Sequence, residues 1–405
     1  MQRVAQQAYN VSRGFSPPSG LRAYATCFAG FSTLERNDAK AALPLIDQAI
    51  NELASSPDAS EYEGPCRVIE SIAWTRAGDF ARAIRAAERA VAFEERRAGP
   101  PNAIYDPLSA LAGAYSAAGR DRDAAAIHQR LFDMLEREGQ GRTLRAAVRL
   151  NNWSVALQNA GQMLEAADLG ARAVAIARAA DTEHGASLTM LSTYANALAA
   201  VGRHDVAAPI LDEAIVKARQ AGSAERLLLS LAMAMLSSAD AGDLARADAL
   251  AREMRSMRGF NTYLTGILQM AEARLASAAG NPNEAAKWAA TGIATLSSAT
   301  ASGFSLLQAR LTFAEILNKA GRFADALVPA RQAADAARTR QGTASRSWHL
   351  GHALLEEAVA KSGLGDVRAA RELAADALAQ LQATVGPAAR TTHRAEALLS
   401  ELATR

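Results

Sequence analysis

The stretch Gly161–Ala179, GQMLEAADLGARAVAIARA, decides how this chain folds. Its leading glycine can take the left-handed conformation that ends one helix and turns the chain into the next. The residues that follow repeat apolar or small side chains at i, i+3, i+4 and i+7, the spacing of one helix face. That face is mostly alanine, so a neighbouring helix can approach closely. A helix so poor in bulk gains little from its own burial and depends on stacked neighbours.

The pattern recurs. Gly-x-x-x-x-Ala appears at Gly78, Gly119, Gly161, Gly202, Gly242, Gly280, Gly321 and Gly365, each followed at plus five by Ala83, Ala124, Ala166, Ala207, Ala247, Ala285, Ala326 or Ala370. Asn37 stands in for the glycine in an earlier copy, with Ala42 at the same offset; asparagine is the next-best residue for the left-handed turn. Seven positions before the turn lies a residue that is nearly always small, from Gly30 and Ser71 to Ala314 and Ala358. Twelve positions after it, Ala49, Ala90, Ala173, Ala214, Ala333 and Ala377 repeat the idea. Self-similarity at this period signals a repeat array. The spacing therefore predicts an all-α solenoid of about nine antiparallel helix pairs wound as an open right-handed superhelix. An entry segment is expected over residues 1–23, repeats over 24–388, and a terminal segment over 389–405 carrying a capping helix from about Thr391 to Leu402.

Composition agrees. Half of the residues are hydrophobic but only 5% are aromatic, which suits close helix packing better than a wide globular core. Runs of Val, Ile, Thr and Tyr are scarce, so little sheet is expected. The net charge of +2 comes from 44 basic and 42 acidic residues mixed along the chain, and only five of the bases are Lys. Nucleic acid requires a concentrated positive face, so it is not expected as a partner. The opening MQRVAQQAYN has no apolar signal core, and LLLSLAMAML at Leu227–Leu236 is half the length of a bilayer span. Cys27 and Cys66, at no metal or redox spacing, read as buried small residues. The expectation is a cytoplasmic protein without membrane insertion.

Gly-x-[aromatic or apolar]-x-x-Ala, with a small residue at minus seven and Ala near plus twelve, resembles the tetratricopeptide repeat, as in AGDFARAIRAAERAV, AGRFADALVPARQAA and LGDVRAARELAADAL. The repeat length is closer to the roughly 42-residue variety of kinesin light chains and many bacterial proteins. Asn151 and Asn152 in RLNNWSVAL resemble that variety's Asn-Asn-Leu helix start. The closing ALAQLQATVGPAARTTHRAEALLSEL is similar to the end of tetratricopeptide regions attached to bacterial serine/threonine kinases, although Ala388 and Ala389 replace the usual Asp-His-Pro. The chain has no Gly-rich loop, His-Arg-Asp or Asp-Phe-Gly. The resemblance implies a binding arm rather than an effector.

Motifs for chemistry are few. His349 and His352 in WHLGH could share a helix face as metal ligands do, with Glu356 and Glu357 a turn later, but they read as a solvated helix start. No metal, cofactor or catalytic residue is expected. Met233, Met235, Met254, Met257 and Met270 cluster in the sixth and seventh repeats, where methionine fills irregular gaps.

Polar residues on the first helix of each pair fall on the face that the resemblance makes a concave groove: Arg149, Asn152, Asn159, Thr193, Asn196, Gln308, Thr312, Glu315 and Asn318. Asparagine is a mediocre helix former, and its amide can hydrogen-bond an extended peptide. The expected function is a protein-interaction scaffold holding a partner peptide or helix in that groove. The alternative is a sensor arm that binds a small ligand or signalling peptide and controls a kinase or transcriptional effector.

Overall fold

A computed structural model describes residues 7, 9–14, 19–36, 38–56, 58–97, 99–181, 183–299, 303–341 and 346–404. Asn37 and much of the N-terminal segment lie outside the described residues. From Gly20 onward nineteen α-helices follow one another among the described residues, which contain no strand. The first three pairs are α1 (Gly20–Leu34) with α2 (Ala39–Ala54), α3 (Glu63–Ala77) with α4 (Phe80–Arg96), and α5 (Tyr105–Ala117) with α6 (Asp121–Arg137). Next come α7 (Leu144–Ala160) with α8 (Met163–Ala180), α9 (Leu188–Ala200) with α10 (His204–Gln220), and α11 (Ala224–Asp240) with α12 (Leu244–Ser256). The last are α13 (Thr262–Ala278) with α14 (Pro282–Ser298), α15 (Gly303–Lys319) with α16 (Phe323–Gln341), and α17 (Trp348–Gly363) with α18 (Val367–Thr384). A final helix, α19 (Arg390–Ala403), buries Thr391, Thr392, Ala395, Leu398 and Leu402 on one face. The result is an all-α solenoid.

Each turn glycine from Gly78 to Gly365 has positive φ, as the sequence requires. A second signal starts the following helix: Asp38, Asp79, Asp243 and Asp366 accept a hydrogen bond from the backbone N–H three residues on. The small-residue offsets are packing positions. Every alanine at plus five, from Ala42 to Ala370, is fully buried. Departures from alanine at these offsets run in both directions. A Cβ on Gly292, at plus twelve, would lie 2.8 Å from the sulfur of Met270, which fills the space. Met235 and Met254 are likewise completely buried.

The helices form two compact units, residues 1–134 and 135–405. In the first, Cys27 and Cys66 are free, buried thiols within a cluster that includes Leu34, Ile46 and Ile69. In the second, the outer surface carries ion pairs between successive repeats, Arg178–Glu213, Arg219–Glu253 and Arg246–Asp212 among them. Such exposed pairs add little stability, but they use up the mixed charges that the composition shows. None of the described helices is long and apolar enough to cross a membrane.

Residues 135–405 do not stay open, contrary to the expectation of an open superhelix. Met163 and Val201, in the fourth and fifth repeats, share one apolar cluster with Leu350, Leu354 and Ala389. The backbone N–H of Trp348 donates to the Gly161 carbonyl at 2.9 Å, and the Gln162 side-chain amide donates to the Arg346 carbonyl. Two turn glycines make this approach possible. A Cβ on Gly161 would lie 2.9 Å from the Trp348 nitrogen, and one on Gly202 would lie 2.8 Å from the Ala388 oxygen. Here glycine satisfies both the left-handed φ and a crossing chain.

Candidate functional site

Closure of the second unit leaves a partly open cavity of about 260 Å³. Its apolar wall includes Met163, Met233, Leu236, Phe304 and Leu311. Its polar wall includes Asn196, His204, Asp240, Arg274, Gln308, Thr312, Trp348, His352, Arg390 and Thr391. The helices that bring these together are α8 to α11, α13, α15, α17 and α19, the last three far from the first four in sequence.

A chain of amide and imidazole contacts stiffens one side. Gln158 donates to the Thr193 carbonyl at 2.9 Å, and Asn196 donates to the Gln158 side-chain oxygen at 2.7 Å. His349 Nε2 lies 2.9 Å from the Gln158 carbonyl, while Gln308 Nε2 lies 3.1 Å from His349 Nδ1. A carbonyl can only accept, so Nε2 carries the proton and Nδ1 accepts from the Gln308 amide. Burial pushes the His349 pKa down to about 4, against a smaller opposing contribution from the Gln158 carbonyl, so the ring is neutral at neutral pH.

Beside the cavity lies a buried ion cluster. Glu315 receives Arg390 at 2.7 Å and Lys319 at 3.2 Å, and Glu356 receives Arg394 at 2.7 Å. His352 Nε2 sits between them, 3.3 Å from Glu356 and 3.5 Å from Glu315. Asn318 donates to both the backbone and the carboxylate of Glu356. Burial alone would raise the carboxyl pKa values. The arginines outweigh it, holding Glu356 at about 2 and Glu315 well below the usual range. Burial would lower the His352 pKa, and the two carboxylates reverse that and raise it. Nearby, Arg274 grips Asp240 with two contacts of 2.7 Å, and Arg390 reaches the same carboxylate at 3.7 Å. Glu315, His352 and Glu356 have ligand atoms within 4.8 Å of one another, close enough for a metal ion. A cation there would have to displace the guanidinium groups that already neutralise both carboxylates.

Several sequence expectations are corrected by this arrangement. His349 and His352 are not a solvated helix start; both are buried, because α17 is packed on all sides. Glu315 and Asn318 do not face a partner groove but are interior members of the ion cluster. Asn151 and Asn152 do not start a helix; α7 begins at Leu144 and carries them at its middle. Gln308, Thr312 and Asn196 line the cavity, and the Thr193 carbonyl joins the amide chain beside it. Arg149, Asn152 and Asn159 lie on α7, away from it. Sequence reasoning missed Gln158, Asp240, Arg274, Trp348, Arg390 and Arg394. One signal was readable: from Trp348 to Val359, α17 carries no charge except Glu356 and Glu357. A helix without a polar face is buried, histidines included.

No family model and no curated protein matches the sequence. Solved structures do match in fold. The apo form of RapI is similar with a TM-score of 0.55 at 13% identity, covering 67% of this chain and 97% of that one. Aspartyl phosphate phosphatase F from Bacillus subtilis gives 0.52 at 16% identity, covering 68% and 70%. TPR-like repeats of a kinesin light chain from Podosopora anserina give 0.42 at 21%, covering 47% and 93%. These likenesses show the fold, a solenoid of stacked helix pairs.

Proposed function

We propose that this chain is a protein-interaction scaffold whose partner, an extended peptide or a helix, lies along α7. One observation supports this most. Leu144, Val148 and Val155 are 42%, 43% and 37% exposed, and their helical spacing puts them on one face of α7 with Asn152 and Asn159. An apolar stripe with interleaved amides offers burial to side chains and hydrogen bonds to a backbone. The reading is one of binding rather than catalysis, since the buried carboxylates beside the cavity are held as ions by arginine. Two free thiols fit a reducing compartment, the cytoplasm.

The test is capture of partners from the source cells on the immobilised full chain, compared with a Val148→Glu, Val155→Glu variant of unchanged helicity. Proteins enriched by the native chain should be lost from the variant. Retention of all of them would place the partner surface elsewhere.

The cavity favours a second reading, a sensor arm. A small ligand bound among α9, α11, α15, α17 and α19 would stabilise the closed form of residues 135–405 by mass action. Its output would be control of a kinase or transcriptional effector. Hydrogen exchange in α17 and α19 should then slow when ligand binds.

A further inference from the structure

Most polar groups around the cavity already have partners. Asn196 is held by Gln158, Gln308 by His349, His204 by the Ser237 hydroxyl at 3.0 Å, and Asp240 by Arg274. The wall made by the starts of α17 and α19 is different. Trp348 Nε1, His352 Nδ1 and Thr391 Oγ1 are buried atoms without a hydrogen-bond partner in the protein. His352 and Thr391 are only 4% and 5% exposed. Leaving a buried polar group unpaired is costly, so three on one wall mark a place where a partner belongs.

The character of that partner follows from the wall. An indole N–H can only donate, and a threonine hydroxyl can donate. His352 Nε2 already faces two carboxylates, which favour the imidazolium, and only in that form, with both ring nitrogens protonated, is Nδ1–H a donor. Helix α19 begins at Arg390 with Ala389 at its cap, so no side chain satisfies its first N–H groups. Around this point Arg274, Arg390, Arg394 and Lys319 face only Asp240, Glu315 and Glu356, one cation in excess before His352 is counted. A donor-rich wall with surplus positive charge calls for a negatively charged acceptor. Across the cavity, Phe304, Met233 and Leu236 offer an apolar surface.

We propose that the cavity binds a small organic carboxylate with an apolar or aromatic body. The carboxylate meets Trp348, His352 and Thr391 near Arg390, and the body lies against Phe304, Met233 and Leu236. At about 30 Å³ per molecule of liquid water, the volume suits roughly nine non-hydrogen atoms, with the open side leaving room for one or two more. This ligand class rests on the sensor reading above.

The test is titration calorimetry of the full chain with phenylacetate and octanoate, set against phenylacetamide and octanamide. Each pair has the same body and differs in charge. The acids should bind at least tenfold more tightly than the amides, and Thr391→Val and Trp348→Phe should each weaken the acids several-fold. Circular dichroism confirms that both variants are folded. Equal binding of acids and amides would overturn the carboxylate assignment and leave the sensor reading standing. Acid binding indifferent to both substitutions would overturn the assigned wall. No binding of any of the four to folded protein would overturn the proposal and the sensor reading together.

Discussion

His349 Nε2 lies 2.9 Å from the carbonyl oxygen of Gln158, a residue 191 positions earlier in the chain. The Nε2–H donates to that carbonyl while Nδ1 accepts from the Gln308 amide, a pairing that needs a neutral ring, and burial supplies one by lowering the pKa to about 4. The unfolded chain takes up this proton near the ordinary histidine value of about 6.5, before the folded protein does. Stability from His349 is therefore complete above about pH 6.5 and lost as pH falls toward about 4, by roughly 3 kcal/mol. His349→Gln should flatten this limb of the stability curve in urea titrations at several pH values. An unchanged slope would show that the histidine is not the titrating group.

His352 has the opposite sign. Its pKa is raised by Glu315 and Glu356 against its burial, so its contribution is complete below the ordinary histidine value and lost as pH rises through the folded one. His352→Gln should be most damaging on the acid side of neutrality and least on the alkaline side. Denaturant midpoints across that range decide it.

Arg394→Met should cost roughly 3–5 kcal/mol, because it strips Glu356, which has no exposed side chain, of its closest cation. Adding Glu356→Met should recover much of that loss by removing the stranded charge. If the single variant is as stable as the native chain, the cluster is not what holds α19 to α17.

The turn glycines should divide into two groups. Gly242 and Gly280 have positive φ, but a Cβ there would meet nothing within 4 Å, so Gly→Ala should cost about 1–2 kcal/mol from conformation alone. Gly161 and Gly202 add a crossing chain, and Gly→Ala there should cost about 1–3 kcal/mol more. Thermal melts of the four variants give the comparison; four equal losses would mean that the crossing contacts contribute nothing.

Ala166→Leu should destabilise by roughly 1–3 kcal/mol. The residue is fully buried, and its carbonyl accepts the Ser154 hydroxyl at 2.7 Å, so there is no room to add three carbons. Ala179→Leu, on the exposed side of the same helix, should change stability by less than about 0.5 kcal/mol.

These predictions separate what a single repeat dictates from what the whole chain dictates. The hairpin turns and alanine contacts were legible because each is local: a glycine, an alanine five residues on, and a small residue seven before. The site was not, because its members come together only when repeats far apart in sequence meet. Asn159 seemed to belong to a groove and Gln158 did not, yet one residue turns a helix by 100°. That rotation carries Gln158 into the buried contact with Thr193 and Asn196. Asp240 and Arg390 likewise look like ordinary surface charges until α19 arrives beside α11 and α15.

The contact of residues 346–349 with the Gly161 turn also changes how this protein must come into being. An ordinary solenoid can fold repeat by repeat as it leaves the ribosome, because each unit needs only its predecessor. Here the Gln158 carbonyl waits for a histidine synthesised 191 residues later. Closing so long a loop slows folding, since its entropy must be lost before the contact forms. Until α17 and α19 emerge, the cavity-facing sides of α9 and α11 are open to solvent, and a chaperone that shields them during synthesis would protect the nascent chain at its most vulnerable stage.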